Sequence, residues 1–213
     1  MAILDTDLLS EIQQQLEEDV NAGASWSSGQ WTTPEVLSYM NYRQWRFMKE
    51  TGILLKPATI SSLPNITTHP LPPDWISTQR IAWTSAADEI PRQVPRMDGW
   101  EADHGLPTWP YNQASKPYGY TDGESPTLIF ESFPGANEAG TFTVYYSYRG
   151  TELDGTGVPL TVPIEFAPAI KWGTISDMLG KVGRAHDPGR AQYAEQRFEE
   201  AVQAATIMLN GWQ

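Results

Sequence analysis

The spacing of apolar residues changes twice along the chain, and this change constrains the fold more than any other feature. Up to about residue 50, apolar residues recur every three or four positions, which is typical of helices packed along one face. From Ile53 the spacing shifts towards the alternation of β-strands. It returns to the helical repeat at about residue 165. This order predicts an α+β chain, with two helices on each side of a strand-rich middle.

Four main helices are predicted, at residues 3–20, 32–50, 165–182 and 188–209. Thr32 and Glu35 have the spacing of a capping box at the start of the second helix. Four amphipathic helices bury their apolar faces against one another, so we expect an antiparallel helical bundle. An antiparallel β-sheet region with long Gly/Pro-rich loops is expected as an insertion at about residues 53–164. We predict that residues 1–213 form a single domain.

Strands are predicted within the insertion at residues 53–63, 75–84, 127–133 and 141–149. The last two are the clearest pair. In the second of them Phe142, Val144 and Tyr146 alternate with polar or smaller residues, and a connection that contains glycine joins the two strands. Four prolines between residues 63 and 74 exclude regular structure there. A short helix is predicted at residues 97–104.

The charge of the chain excludes some functions. Its formal net charge is -12, with 26 acidic against 14 basic residues. A protein that binds nucleic acid by neutralising phosphates needs a basic face. Arg43, Arg46 and Lys49 are the nearest approach to one, on a predicted helix. The first 20 residues carry only acidic charge, at Asp5, Asp7, Glu11, Glu17, Glu18 and Asp19.

Cysteine and long apolar runs are both absent from the sequence. Without cysteine there are no disulfides, no thiolate chemistry and no cysteine-based zinc sites. No apolar run approaches the roughly 20 residues that a membrane span needs. The first residues also lack the basic and then apolar pattern of a signal peptide. We therefore expect a soluble protein that is made in a cytoplasm and does not insert in a membrane.

No pattern in the sequence indicates a reaction centre. The three histidines are not spaced for a shared metal, and neither a Gly-x-Ser-x-Gly turn nor a phosphate loop is present. Residues 154–157 resemble half a calcium loop, which we interpret as a turn. A metal-dependent hydrolase is the enzymatic alternative, with candidate residues Asp98, Glu101, Asp103 and His104. We predict no enzymatic activity, no catalytic residue, no cofactor and no metal.

Aromatic residues are frequent, with nine Trp and nine Tyr, and several lie in predicted loops. One interpretation is a carbohydrate-binding platform built around Trp109. A second is a protein–protein interface, where Trp and Tyr are enriched. A third is simple packing of the loops onto the sheet. The loop residues in question are Trp100, Trp109, Tyr111, Tyr118 and Tyr120.

Several short segments occur in an order that is characteristic of one family. They include Trp31–Glu35, Pro72–Trp75, Leu128–Phe130, Val162–Ala169 and Asp187–Tyr193. The segments extend over roughly residues 30–205. In these segments the chain resembles the head-to-tail adaptor (connector or gateway) proteins of tailed bacteriophages. The long acidic first helix and the Gly/Pro-rich stretch at residues 112–126 depart from the pattern.

The resemblance implies a structural part of the virion, with no enzymatic role. Such a protein would form a homo-oligomeric ring of twelve copies in the neck, below the portal, and would join the capsid to the tail. Its partners would be other copies of itself, the portal protein and a tail or tail-completion protein. Genomic DNA would pass through the channel without specific binding, also during ejection. The protein would be made in the host cytoplasm and assembled into the virion.

Two surfaces follow from the resemblance. The end of the last helix would dock on the portal through the apolar residues Ile207, Met208, Leu209 and Trp212. The acidic first helix or a neighbouring loop would line the DNA channel, and the acidic residues of that helix are Asp5, Asp7, Glu11, Glu17, Glu18 and Asp19. A like charge keeps DNA from adhering to the wall. The alternative is a carbohydrate-binding or other tail-associated virion module.

Overall fold

A computed structural model describes residues 3–17, 26, 28–105, 114, 116–122, 129–133 and 136–210. The helices are α1 Asp5–Gln15, α2 Thr33–Thr51, α3 Gly99–Gly105, α4 Ala167–Gly180 and α5 Pro188–Asn210. The strands are β1 Leu55–Ser62, β2 Thr68–Pro70, β3 Trp75–Ser85, β4 Pro91–Val94, β5 Gly119–Asp122, β6 Ile129–Phe133 and β7 Gly140–Tyr148. The chain divides into two compact units. The first consists of Met1–Leu54 and Arg149–Gln213, and the second of Leu55–Tyr148.

The first unit is helical. Helices α2, α4 and α5 pack against one another, and α1 packs on α4. Their shared core is aromatic: the ring of Phe47 lies 5.3 Å from that of Phe166 and 6.5 Å from that of Phe198. Along α5 the buried positions recur at helical spacing, at Ala191, Ala194, Phe198, Val202 and Ala205. The last two predicted helices are thereby placed against the second.

Local signals in the sequence explain where α2 begins and ends. The hydroxyl of Thr32 accepts a hydrogen bond from the backbone N–H of Glu35 at 3.4 Å, and a proline lies in the first turn. Gly52 ends the helix with a φ of 60°, in the left-handed region that favours glycine. Both ends lie within one or two residues of the predicted ones.

The second unit contains two antiparallel sheets. One has the strand order β1-β7-β3-β4 and the other β2-β6-β5. Alternate side chains of both sheets meet in one apolar core, where the rings of Phe130 and Phe142 lie 5.1 Å apart in an edge-to-face contact. Trp83, Tyr120 and Tyr146 complete its aromatic part.

The predicted fold class, an antiparallel bundle of four main helices with an inserted sheet region, is wrong. The chain is mixed α+β, with helices and two antiparallel sheets. The strands bury their own aromatic core, so they form more than an appendage to helices. In addition, α1 has only 11 residues and ends at Gln15, well short of residue 20. Its buried apolar residues, Leu8 and Ile12, cover two turns, which is too few for a bundle member of full length.

The predicted pairing of residues 127–133 with 141–149 is also wrong. Strand β6 pairs with β2 and β5, whereas β7 lies between β1 and β3. The short strand β2 ends at Pro70, inside the stretch where the prolines were expected to exclude regular structure. Proline is tolerated there because β2 lies at the edge of its sheet. No described helix is both long and apolar enough to cross a membrane.

Candidate interaction surfaces

The last turns of α5 expose apolar side chains. Ile207 is 70% exposed and Met208 60%, whereas Leu209 is partly buried. Earlier on the same helix Phe198 and Val202 are buried, whereas Tyr193 is 50% exposed. Water therefore contacts the apolar end of this helix in the isolated chain, which is unfavourable unless a partner covers it. Trp212, the fourth residue of the predicted portal surface, lies outside the described residues.

At the start of α1, the carboxylate of Asp5 is fully buried. It accepts backbone hydrogen bonds from Asp154 at 3.2 Å, Gly155 at 2.7 Å and Gly157 at 2.9 Å. The two glycines have φ values of 82° and 95°, which allow successive N–H groups to converge on one anion. The turn at residues 154–157, once compared with a calcium loop, thus binds a carboxylate of the chain itself.

The other acidic residues of the first helix have different surroundings. Asp7 is exposed and accepts a hydrogen bond from the N–H of Leu4 at 3.3 Å. Glu11 forms an ion pair of 3.0 Å with Lys171 of α4. Glu17 is exposed just after the helix. Glu18 and Asp19 lie outside the described residues.

A network of ion pairs, which sequence reasoning missed, fastens α2 to α4 and α5. The guanidinium of Arg43 is nearly buried and binds Asp177 through two hydrogen bonds of 2.7 and 2.6 Å. Its third nitrogen lies 2.7 Å from a carboxylate oxygen of Glu195. The planar guanidinium also covers the ring of Phe198 at 4.9 Å. One arginine thereby joins three helices.

Arg46, one turn later on α2, extends the network to the surface. It pairs with Glu50 at 2.6 Å, with Glu195 at 2.7 Å and with Glu199. Burial raises the pKa of Glu195, but the bonds from the two arginines outweigh burial and leave this pKa below its ordinary value. Two of the three residues of the basic cluster noted in the sequence, Arg43 and Arg46, are therefore paired inside the first unit, whereas Lys49 is exposed and lies over the ring of Trp45. The spacing of three residues between the two arginines on one helix was the available signal.

A groove of about 330 Å³ opens in the first unit. Tyr42 and Trp45 form its aromatic side, and Arg149 and Glu152 carry its charges. The two rings lie 5.8 Å apart, and Tyr42 is 49% exposed. The lining of the groove thus combines two aromatic rings with one positive and one negative side chain.

The candidate residues of the hydrolase alternative lie in and just before α3, where they make local contacts. Asp98 caps α3 by accepting the N–H of Glu101 at 2.6 Å, and His104 stacks on Trp100 with ring centroids 4.1 Å apart. The side chain of Asp103 is not among the parts of the chain that the structure describes. In the part of the chain that the structure describes, no group of three His, Asp or Glu residues is arranged to hold a metal.

The loop aromatics have separate environments. Tyr120 is buried and belongs to the core of the second unit, whereas Trp100 and Tyr118 are exposed by 68% and 50%. Trp109 and Tyr111 lie outside the described residues. His69, which lies in the stretch where the prolines were expected to exclude regular structure, is buried in β2 against Phe130 and Phe142.

The described residues thus combine inward-facing ion pairs, an exposed apolar helix end and exposed aromatic side chains, features that a structural component of a larger assembly shares. The model of the SU10 adaptor protein family matches residues 6–211 of the chain. The chain therefore belongs to this family of phage head-to-tail adaptors, and the resemblance seen in the sequence is confirmed. It is a virion protein that associates with other virion proteins such as portal and tail. No curated protein matches the chain.

Proposed function

We propose that this adaptor forms a ring of twelve copies below the portal, joins the capsid to the tail and lines the channel through which DNA passes. Membership of the adaptor family supports the position in the neck. The net charge of -12 supports passage of DNA without specific binding, because like charge opposes adhesion. We further propose that the protein acts without catalysis, and that residues 1–213 work as a single adaptor domain.

The end of α5 is the proposed portal contact. The observation that carries this assignment is the exposure of Ile207 and Met208, two adjacent apolar side chains in the last turns of α5. Covering two such side chains removes apolar surface from water and contributes about 1.5–3 kcal/mol for each one fully buried. Leu209 and Trp212 are proposed to take part in the same contact.

The acidic first helix is the proposed channel wall. Asp7 and Glu17 are exposed and support the proposal, whereas the charge of Glu11 is offset by Lys171 of the same chain. Glu18 and Asp19 continue the acidic run in the sequence. Asp5 is left out, since its buried carboxylate is satisfied by backbone N–H groups of its own chain.

Portal docking is tested with the double variant Ile207→Ser and Met208→Ser. We expect at least a tenfold loss of binding to purified portal, measured by co-sedimentation, with an unchanged far-UV circular dichroism spectrum. The matched control is Gln203→Ser with Ala204→Ser, which alters two exposed positions one turn earlier on the same helix.

Normal portal binding by the serine double variant would contradict the assignment of this end of α5. The position in the neck is tested separately by electron microscopy of intact particles. A density for this chain below the portal, in twelve copies, is expected there, and its absence would contradict the proposed ring.

A further inference from the structure

The four-stranded sheet of the second unit contains no acidic residue. Its strands β1, β7, β3 and β4 have 8, 9, 11 and 4 residues, and none of these is Asp or Glu. The chain-wide frequency, 26 acidic residues in 213, would place several there. The charged residues in the sheet are all cationic: Lys56, Arg80 and Arg92. This sheet is therefore electrostatically unlike the rest of the chain.

The strand register shows which residues form the outer face of this sheet. Ile81, Trp83, Phe142 and Val144 point to the core, so their neighbours in each strand point away from it. Three cross-strand rows result. They are Ser61-Thr141-Thr84-Pro91, Thr59-Thr143-Ala82-Gln93 and Pro57-Tyr145-Arg80.

The outer face is rich in hydroxyl groups and accessible. Thr59, at an outer position, is exposed, and Thr143, at the centre, is partly exposed. Arg80 is exposed and is the one charged residue among the three rows, with its guanidinium 4.1 Å from the ring centre of Tyr145. Carboxylates lie beyond the strand ends, at Asp74 before β3, at Asp88 and Glu89 in the turn before β4 and at Glu138 before β7. Asp74 pairs with Lys56 and Asp88 with Arg92, so Arg80 is the cation of the sheet that its outer face presents.

We propose that this outer face, centred on Thr143, is the surface with which each copy contacts the next copy in the ring. The inference rests on the proposed ring. Copies that each carry a net charge of -12 repel one another, and this repulsion is weakest where one of the two surfaces lacks carboxylates. A cyclic ring joins two different surfaces, so an acidic surface of the neighbour meets this face and its Arg80.

The edges of the same sheet are poorly suited to strand pairing between copies. Strand β1 has Pro57 in its interior, and β4 begins with Pro91. Proline has no backbone N–H and blunts an edge strand against addition of another strand. Contact through the face, by side chains, is therefore favoured over a continuous sheet around the ring.

The first test is site-specific cross-linking in assembled particles. The chain has no cysteine, so Thr143→Cys introduces a single thiol, to which a maleimide-benzophenone probe is attached before assembly. Irradiation is expected to give a product of two adaptor chains. The control Gln196→Cys, on the exposed side of α5, is expected to give at least tenfold less of this product. A product with portal, with a tail protein or with DNA in place of the adaptor dimer would overturn the proposal.

The second test places a carboxylate on the face. Thr143→Glu is expected to reduce the number of adaptor copies per particle at least tenfold, whereas Gln196→Glu leaves it unchanged. Thermal unfolding of the free chain shows whether the Thr143→Glu variant still folds. If this variant does not fold, the cross-linking of Thr143→Cys is the test of the proposed contact. If wild-type particles show the ring but the labelled Thr143→Cys variant yields no adaptor dimer, this inference alone fails. If wild-type particles show no ring, the proposed function fails first.

Discussion

At the scale of single residues, Asp5 illustrates how an acidic residue can stabilise a strongly acidic chain. Its carboxylate accepts three backbone hydrogen bonds from the 154–157 turn and holds the start of α1 against that turn. The backbone N–H of Asp5 adds a bond of 2.9 Å to the carbonyl of Val158. Charge alone does not separate Asp5 from Asp7 in the sequence, because only the fold brings the glycine turn to one of them.

Replacing Asp5 with Asn tests this anchor. The amide keeps one acceptor oxygen but turns an NH₂ group towards backbone donors, so we expect a loss of about 1–3 kcal/mol in the free energy of unfolding. Urea denaturation measures it. Glu17→Gln removes the same charge at an exposed site and is expected to stay within about 0.5 kcal/mol of wild type. Equal stability of both variants would show that the turn does not depend on the carboxylate.

Arg43→Met tests the ion-pair network. The methionine fills much of the volume but leaves Asp177 and Glu195 without their shared cation, and we expect a loss of about 3 kcal/mol or more in the free energy of unfolding. The control is Arg197→Met. Arg197 pairs with Glu200 at the surface, where both side chains are 48% exposed, so this variant should change stability by less than about 1 kcal/mol. Chemical denaturation measures the free energy of unfolding of both variants. A similarly small decrease for both would show that the ion pairs of Arg43 contribute little to stability.

His69 predicts a dependence of stability on pH. Burial lowers the pKa of His69 to about 4, so the folded chain holds the neutral ring while the unfolded chain binds a proton near pH 6.5. Stability is therefore complete above pH 6.5 and is lost as the pH falls towards 4, by up to about 3 kcal/mol. The unfolding free energy of wild type and of His69→Gln, followed between pH 7 and 4, isolates this contribution. Parallel curves for the two proteins would contradict it.

At the scale of elements, close approach of helices outweighs helix propensity at Gly173 of α4. A Cβ atom at this position would lie 2.7 Å from the Arg43 side chain and 2.9 Å from the ring of Phe198. We expect Gly173→Ala to lower the melting temperature, although alanine favours a helix by about 1 kcal/mol. Gly180→Ala, in the same helix with open space around the new atom, should raise stability or leave it unchanged. Calorimetry measures the melting temperature of both variants. A higher melting temperature for both would show that α4 can move to accommodate the new Cβ atom without loss of stability.

The helices were predictable from the sequence because their signals are local. The cap at Thr32, the left-handed Gly52 and the apolar repeat of α5 all lie within the element that they define. Four of the seven strands were located to within two residues at each end, but β2, β4 and β5 were not predicted, and the partners of the located strands were not found. The prediction paired two strands that are neighbours in sequence, whereas β7 pairs with β1 and β3, which lie far earlier in the chain. Such long-range choices depend on the aromatic core that both sheets share.

The candidate surfaces could be predicted only in part from the sequence. The apolar residues Ile207 and Met208 are visible at the end of the sequence, but their exposure is seen only in the structure. The outer face around Thr143 could not be predicted, although the absence of acidic residues from its strands is visible in the sequence. Only the register of three neighbouring strands shows that Thr59, Thr143 and Ala82 form one row.

At the scale of the whole molecule, a net charge of -12 on every copy opposes assembly of the proposed ring. Salt screens this repulsion, with a Debye length of about 10 Å at 0.1 M. We therefore expect the fraction of adaptor assembled on purified portal to rise as NaCl increases from about 0.05 to 0.5 M. A protein held by phosphate contacts shows the opposite trend. Sedimentation velocity at fixed protein concentration measures the assembled fraction.

A less acidic variant separates screening from other effects of salt. Glu17, Glu152 and Glu165 are exposed, and their replacement by glutamine removes three negative charges without touching the core or the sheet face. Because repulsion grows with the product of the charges, this variant should assemble better than wild type at low salt and respond less to added NaCl. If salt instead dissolves the wild-type ring, ion pairs between copies outweigh the net repulsion, and Arg80 on the carboxylate-free sheet face becomes the first residue to replace.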